Sequence, residues 1–292
     1  MASWLKVPEV GPVLGMRFLI WMCRTVGRQT TNLILHCVVF YYFLFSTRAK
    51  GCSRDYLVRV GLEPSARHVY RHLFTFAQCL LDRLFFVSGD FKPFVVTRSG
   101  GHHLEEASRN RKGTIILGAH LGSFEAMRAA SEKRQLRLVA VGYFKNAAKI
   151  NALLDQYGEN STKLVHVEPG TVGYLLQIKQ LLEEGHLVAL LGDRDIGGPT
   201  VEVDFLGGKT RLPIGPYALA SQLNCPILVT FGLYSRPNRY DLYCEPLGSI
   251  PQASRKQRDL VYKAAAQRYA DLVEKYCKKS PFNWFNFYDY WI

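Results

Sequence analysis

His120 and Glu125, with four residues between them, stand in the segment His120-Leu121-Gly122-Ser123-Phe124-Glu125 directly after the apolar run Thr114-Ile115-Ile116-Leu117. A carboxylate that fixes one imidazole nitrogen leaves the other to accept a proton, so the pair suits activation of a hydroxyl. The bland alternative is a satisfied histidine beside a strand, and these six residues alone do not separate the two. The same stretch says how the pair must be held. A β-branched run that ends in Gly118-Ala119 and feeds an alanine-rich segment predicts a strand, a tight turn and a helix. His120 then lies in the turn, at the carboxyl edge of a sheet where open α/β folds gather ligands, and Glu125 in the first helical turn. Backbone N–H groups from Leu121 through Gly122 and Ser123 are expected to face a developing oxyanion, in a field that also disfavours imidazolium.

A second chemical segment is Gly192-Asp193-Arg194-Asp195. The buried run Leu187 to Leu191 reads as a strand that delivers Asp193 to the same sheet edge as His120. For Arg194 two readings stand: a ligand for a phosphate on donor or acceptor, or a salt bridge with Asp193 or Asp195.

The order of several blocks carries a resemblance. Gly100-Gly101-His102-His103 and Arg111-Lys112-Gly113 precede the histidine segment. Asp193-Arg194-Asp195-Ile196-Gly197, Val203-Asp204-Phe205-Leu206-Gly207-Gly208 and Leu212-Pro213-Ile214-Gly215-Pro216 follow it, and the chain closes on Pro281-Phe282-Asn283-Trp284-Phe285-Asn286-Phe287-Tyr288. In this order and spacing the set resembles the late acyltransferases of lipid A biosynthesis, within the lysophospholipid acyltransferase superfamily. The resemblance implies His120 as catalytic base, Glu125 as its carboxylate partner in an H-x4-E motif, Asp193 as a second acidic site residue, and Phe205 and Gly207 in a turn that shapes an acyl pocket. It also implies an acyl thioester donor, acyl carrier protein before acyl-coenzyme A, and a hydroxyl acceptor on a lipid or glycolipid. Two departures leave the acceptor open. Ser123-Phe124 stands where family members often carry Asn-Trp, and the family's extra Arg between the dyad and the Asp193 block is not found, because Tyr143-Phe144-Lys145 and Tyr157-Gly158 occupy its expected region.

Acyl transfer from a thioester needs the acceptor proton removed and the oxyanion stabilised. It needs no acyl-enzyme and no cofactor. The histidines show no metal-ligand spacing, so no metal is expected. A hydrolase using the same dyad on water is the first alternative, although no G-x-S-x-G elbow is present. The second is a non-enzymatic basic module that binds lipid; nucleic acid is not expected as a partner, because the aromatic-interleaved basic motifs of RNA-binding folds are absent.

With 37 Lys and Arg against 24 Asp and Glu, the net charge of +13 favours acidic partners, an anionic membrane surface or an acidic carrier among them. The region from Gly11 to Phe45 is rich in aromatic and aliphatic residues, and Arg17, Arg24 and Arg28 fall on one face of a continuous helix. The apolar run from Leu33 to Phe45 would rise about 20 Å as a helix, short of the roughly 30 Å hydrocarbon core, so an interfacial anchor is expected before a spanning one. Residues 1–50 therefore read as membrane-associating helices and residues 51–292 as the acyltransferase domain, peripheral or monotopic at the cytoplasmic face of a bacterial inner membrane. Seven cysteines without a C-x-x-C pair read as reduced thiols. Helices are expected over 54–89, 150–157, 174–184, 217–223 and 255–277. Strands are expected near 94–96, 136–141, 164–167, 227–233 and 241–245. Alternating elements of this kind predict an α/β fold with a central, largely parallel sheet flanked by helices. The aromatic tail fills the core, lines an acyl channel or forms an interfacial belt.

Overall fold

Short runs of Val, Ile and Leu bounded by Gly and charged residues are too short for buried helices and pair as strands instead. In the computed structural model, which describes residues 13–142, 163–167, 173–195, 197–254 and 256–292, seven of them form one sheet in the order β1-β9-β8-β2-β5-β3-β4. These are β1 (Val95–Ser99), β2 (Thr114–Gly118), β3 (Leu138–Gly142), β4 (Lys163–His166), β5 (Leu187–Leu191), β8 (Ile227–Ser235) and β9 (Arg239–Gly248). β2 runs parallel to both β5 and β8, β3 runs parallel to β4 and β5, and β1 runs parallel to β9. Within this sheet, among the described residues, only the β8–β9 pairing is antiparallel. The expected parallel sheet is therefore present, with strand positions within a few residues of those read from the sequence. The helix expected over 150–157 and the Pro169-Gly170 stop lie outside the described residues.

β2 is central and every residue of it is buried. Its alternation sorts the core into two faces. Ile115 and Leu117 pack with Val188, Val229 and residues of the long helix Arg258–Lys279, while Ile116 packs with Leu187, Ala189 and Leu228 under Leu104 and Phe124. Of the helices, numbered in chain order among the described residues, α5 (Gly101–Arg109) and α6 (Phe124–Glu132) cover the second face. α7 (Gly173–Glu183), α8 (Gly215–Leu223) and α9 (Arg258–Lys279) cover the first. A separate hairpin, β6 (Thr200–Phe205) with β7 (Gly208–Pro213), was not expected from the sequence. Its turn residues Leu206 and Gly207 both take positive φ, 49° and 70°, the geometry that closes a two-residue hairpin.

Four helices precede the sheet: α1 (Val13–Thr25), α2 (Gly27–Phe45), α3 (Thr47–Arg59) and α4 (Ala66–Val87). The continuous basic helix expected through Arg28 stops at Thr25, because Gly27 adopts φ +84° and restarts the chain on a new axis. Arg17 and Arg24 face outward, but Arg28 turns inward. Its guanidinium grips Asp82 of α4 through Nε–Oδ1 at 2.7 Å and Nη2–Oδ2 at 2.9 Å, and its Nη1 donates to the carbonyl of Pro237 at 2.9 Å. Gln78 and Tyr240 also donate to Asp82, which is fully buried. On the outer side Phe18, Trp21, Leu33, Phe40, Tyr41, Leu44 and Phe45 stay exposed, Leu33 to 70%. Among the described residues no single helix is long and apolar enough to cross a membrane; α2 and α3 meet that length and composition only together, bent by 92°.

Candidate active site

β2 ends at Gly118, and the turn after it is built by close backbone packing. Gly122 takes φ +76° and lies against Gly232 of β8 so tightly that a Cβ would collide with the Gly232 carbonyl oxygen. Ser123 then caps α6, its Oγ accepting from the N–H of Ala126 at 3.1 Å. This fixes where His120 projects. Its ring, 27% exposed, turns toward the end of β5 and meets Asp193: Nδ1 lies 3.0 Å from Oδ1 and 3.1 Å from Oδ2, and the backbone N–H donates to Oδ2 at 3.0 Å.

The carboxylate on the imidazole is thus Asp193, where the sequence led us to expect Glu125. Glu125 is the second residue of α6 and points to the opposite side. It accepts from Arg83 Nη2 of α4 at 2.8 Å and from Arg128 Nε of its own helix at 2.8 Å. Four intervening residues separate histidine and glutamate by a tight turn plus a helix start, which swings the two side chains apart.

Asp193 is 1% exposed and held from several sides. Asn286 Nδ2 donates to its Oδ2 at 2.8 Å and Tyr290 Oη donates to its carbonyl at 3.0 Å. Burial works against ionisation, but the His120 ring, the charge of Arg194 and the Asn286 amide hold this carboxyl far below its ordinary range. Burial, followed by the charge of Arg194, pushes His120 below its ordinary 6.5, with Asp193 opposing both. With Asp193 ionised, Nδ1 carries the proton and donates, so Nε2 is the nitrogen that presents a lone pair. Glu125 is also held low, since Arg83 and Arg128 outweigh its burial.

Arg194 is engaged by the tail, and its charge and that of Asp193 act on each other. Its Nε donates to Asn286 Oδ1 at 2.7 Å, its Nη2 to the Phe285 carbonyl at 3.3 Å, and its guanidinium lies 5.5 Å from the Tyr288 ring centroid. Two of the three expected oxyanion donors are engaged elsewhere. Gly122 N–H donates to the Asn283 carbonyl at 2.8 Å and Ser123 N–H to the Gly232 carbonyl at 2.7 Å.

The tail that supplies these partners returns the contact. Leu121 and Trp284 form an antiparallel bridge, and Phe285 N–H donates to the His120 carbonyl at 2.7 Å. Behind it His72 of α4 donates from Nε2 to the Trp284 carbonyl at 2.5 Å, while its Nδ1 accepts from Ser53 at 2.9 Å.

The model of the bacterial lipid A biosynthesis acyltransferases matches residues 93–292, more than half of the chain. The chain belongs to this family. It is also similar to a phosphatidylinositol mannoside acyltransferase of Mycobacterium tuberculosis, 38% identical over 53 residues, which cover 18% of this chain and 17% of that relative. The family match begins just before β1, so it takes in the sheet, His120, Glu125, Asp193, Arg194 and the tail, and leaves out α1 to α4.

Within the family span, the residues expected around an acyl chain divide. Phe205 is 2% exposed, its ring packed against Trp284, Tyr290 and Trp291, and with Asp193 it borders a narrow crevice. Gly207 lies in the exposed hairpin turn. A small apolar cleft of about 70 Å³ opens elsewhere, between the second face of the sheet and α5 and α6. Leu104, Ile116, Phe124, Met127, Ala189 and Leu242 line it. Asn286 and Arg83 escaped the sequence reading. A signal for Asn286 existed: it and Asn283 are the two amides in an otherwise aromatic run, and a buried amide requires a partner.

Proposed function

We propose that this chain is a membrane-associated O-acyltransferase, moving an acyl group from a thioester to a hydroxyl of a lipid or glycolipid. The observation that supports it most is the His120–Asp193 couple, which leaves Nε2 as a base at the carboxyl edge of the sheet. Nε2 takes the acceptor's proton as its oxygen attacks the thioester carbonyl, Asp193 stabilises the imidazolium, and the proton passes to the departing thiolate as the tetrahedral intermediate collapses. Since the Gly122 and Ser123 amides are engaged, the positive charge of Arg194, which bears on His120, is our candidate for balancing the oxyanion. Glu125 serves by locking the start of α6 through Arg83 and Arg128.

Phe205 and Gly207 are read as shaping an acyl pocket on the side of Asp193, where Phe205 borders the same crevice. A glycolipid acceptor accords with the mannoside acyltransferase relative. An acidic acyl carrier protein accords with the net charge of +13 better than acyl-coenzyme A requires. The exposed stripe on α1 and α2, with Arg17, Arg24, Arg48 and Lys50 near it, is placed on the anionic cytoplasmic face of a bacterial inner membrane, lying in the interface. The test is direct. In detergent, with an acyl thioester and a pool of hydroxylated lipids, His120→Ala and Asp193→Ala are expected to lose transfer while keeping wild-type circular dichroism. Full transfer by either variant rejects the mechanism, and release of free fatty acid without transfer moves the protein to the hydrolases.

A further inference from the structure

Asp193 carries two jobs that conflict unless something mediates them. It must be ionised to orient His120, and it is fully enclosed, where an unpaired carboxylate is costly. Its Oδ2 accepts from the His120 backbone N–H at 3.0 Å and, more closely, from Asn286, 3% exposed, whose Nδ2 lies 2.8 Å away. The amide's own oxygen is used as well, accepting from Arg194 Nε at 2.7 Å. The four groups thus form one chain of donors and acceptors, from His120 Nδ1 to Asp193, from Asp193 to Asn286, and from Asn286 to Arg194.

We propose that Asn286 is a positioning residue for acyl transfer, a neutral spacer that orients the His120–Asp193 couple and holds the Arg194 guanidinium beside it. The inference rests on the functional reading above. An amide suits this place because it donates on one side and accepts on the other. A carboxylate there would confront Asp193, and an apolar residue would take one donor from Asp193 Oδ2 and one acceptor from Arg194 Nε. By keeping the arginine engaged with an amide, the arrangement lets its charge act on the base and on the reacting carbonyl.

Among the described residues, the titratable and charged groups around the His120–Asp193 couple come from three elements, and Asp195 of the turn after β5 also acts on Tyr288. Asp193 and Arg194 come from the turn after β5. Tyr288 and Tyr290 come from the tail, with Arg194 beneath the first and the Asp193 carbonyl bound by the second. From α9 come Tyr269, hydrogen-bonded to the Gly118 carbonyl, and Cys277, both pushed well above their ordinary range by burial.

The test uses the full chain in detergent, with isotope-labelled histidine and the His120→Ala spectrum to assign the ring. In Asn286→Asp the added negative charge is expected to raise the His120 titration midpoint, and the acid limb of kcat/KM, by about one pH unit or more. Asn286→Ala adds no charge and carries the test if Asn286→Asp does not fold. It is expected to raise the midpoint to a lesser degree and to lower kcat by roughly ten- to hundredfold with KM little changed. A merely structural amide would lower stability and leave the midpoint where it was; an unmoved midpoint in both variants overturns the proposal. If the wild-type protein transfers no acyl group from any donor, the functional reading fails, while the ring titration still decides the role of Asn286.

Discussion

Asp193 holds His120 twice, at the ring Nδ1 and at the backbone N–H, each at 3.0 Å, so one carboxylate sets both the tautomer and the orientation of the base. Asp193→Asn keeps the shape but removes the charge that stabilises an imidazolium. We expect kcat to fall by roughly a thousandfold or more, measured at saturating acyl donor. In the wild type the acid limb of kcat/KM is expected below pH 6.5, because burial and Arg194 both push the base down. Asp193→Asn should move it lower still, since the opposing carboxylate is gone.

Glu125 predicts a different phenotype. Glu125→Gln leaves Arg83 and Arg128 facing an amide across distances of 2.8 Å, and the Arg128 side chain is only 6% exposed. A loss of about 3 kcal/mol in urea unfolding is expected. The acid limb of the pH profile should stay in place. A shift as large as that of Asp193→Asn would return Glu125 to the role of direct partner.

The Arg28–Asp82 pair ties α2 to α4, with Tyr240 on the same carboxylate. Arg28→Met should destabilise the protein by about 3 to 5 kcal/mol, because it leaves a buried carboxylate without its cation. Adding Asp82→Asn should recover part of that loss, as read from denaturant midpoints. It follows that deleting α1 and α2 is a poor test of membrane anchoring, since the deletion strips Asp82 as well. Leu33→Glu, Phe40→Glu and Phe45→Glu alter only exposed side chains, and we expect them to reduce recovery with anionic vesicles while leaving the unfolding midpoint unchanged.

His72 supplies a pH dependence of stability that is separable from activity. Burial lowers it to about 4, so the folded state keeps it neutral while the unfolded chain binds a proton near 6.5. The unfolded state therefore holds more protons between these values, and stability falls as pH drops from 6.5 toward 4, by up to about 3 kcal/mol. Unfolding free energies measured across this window should flatten in His72→Gln.

Much of this architecture was legible in the sequence, for physical reasons that differ by element. β2 and β5 announce themselves because a strand buried on both faces must be a continuous apolar run, and their parallel pairing places His120 and Asp193 at one edge. The partner of the imidazole was not legible, because sequence proximity favours Glu125 whereas the tight turn at Gly122 sends the two side chains apart. Arg28 misled for a related reason: helical periodicity assumes a continuous helix, and Gly27 interrupts it. Asn286 was hidden among aromatic residues whose bulk suggested packing alone. The β6–β7 hairpin was missed although Val201, Val203 and Phe205 alternate before the Leu206-Gly207 turn signal, since β7, Gly208–Pro213, shows no matching apolar alternation.

The base, its carboxylate and the amide behind it come from positions 73 and 93 residues apart in pairs, joined only by the finished sheet and the returning tail. Such distant closures are late events, because the entropy of each long loop must be overcome before any contact rewards it. A collapsed refolding intermediate with native helix content will thus be catalytically silent. Recovery of turnover then becomes a stopwatch for the last docking step, and it should lag the return of far-ultraviolet ellipticity in the same refolding experiment.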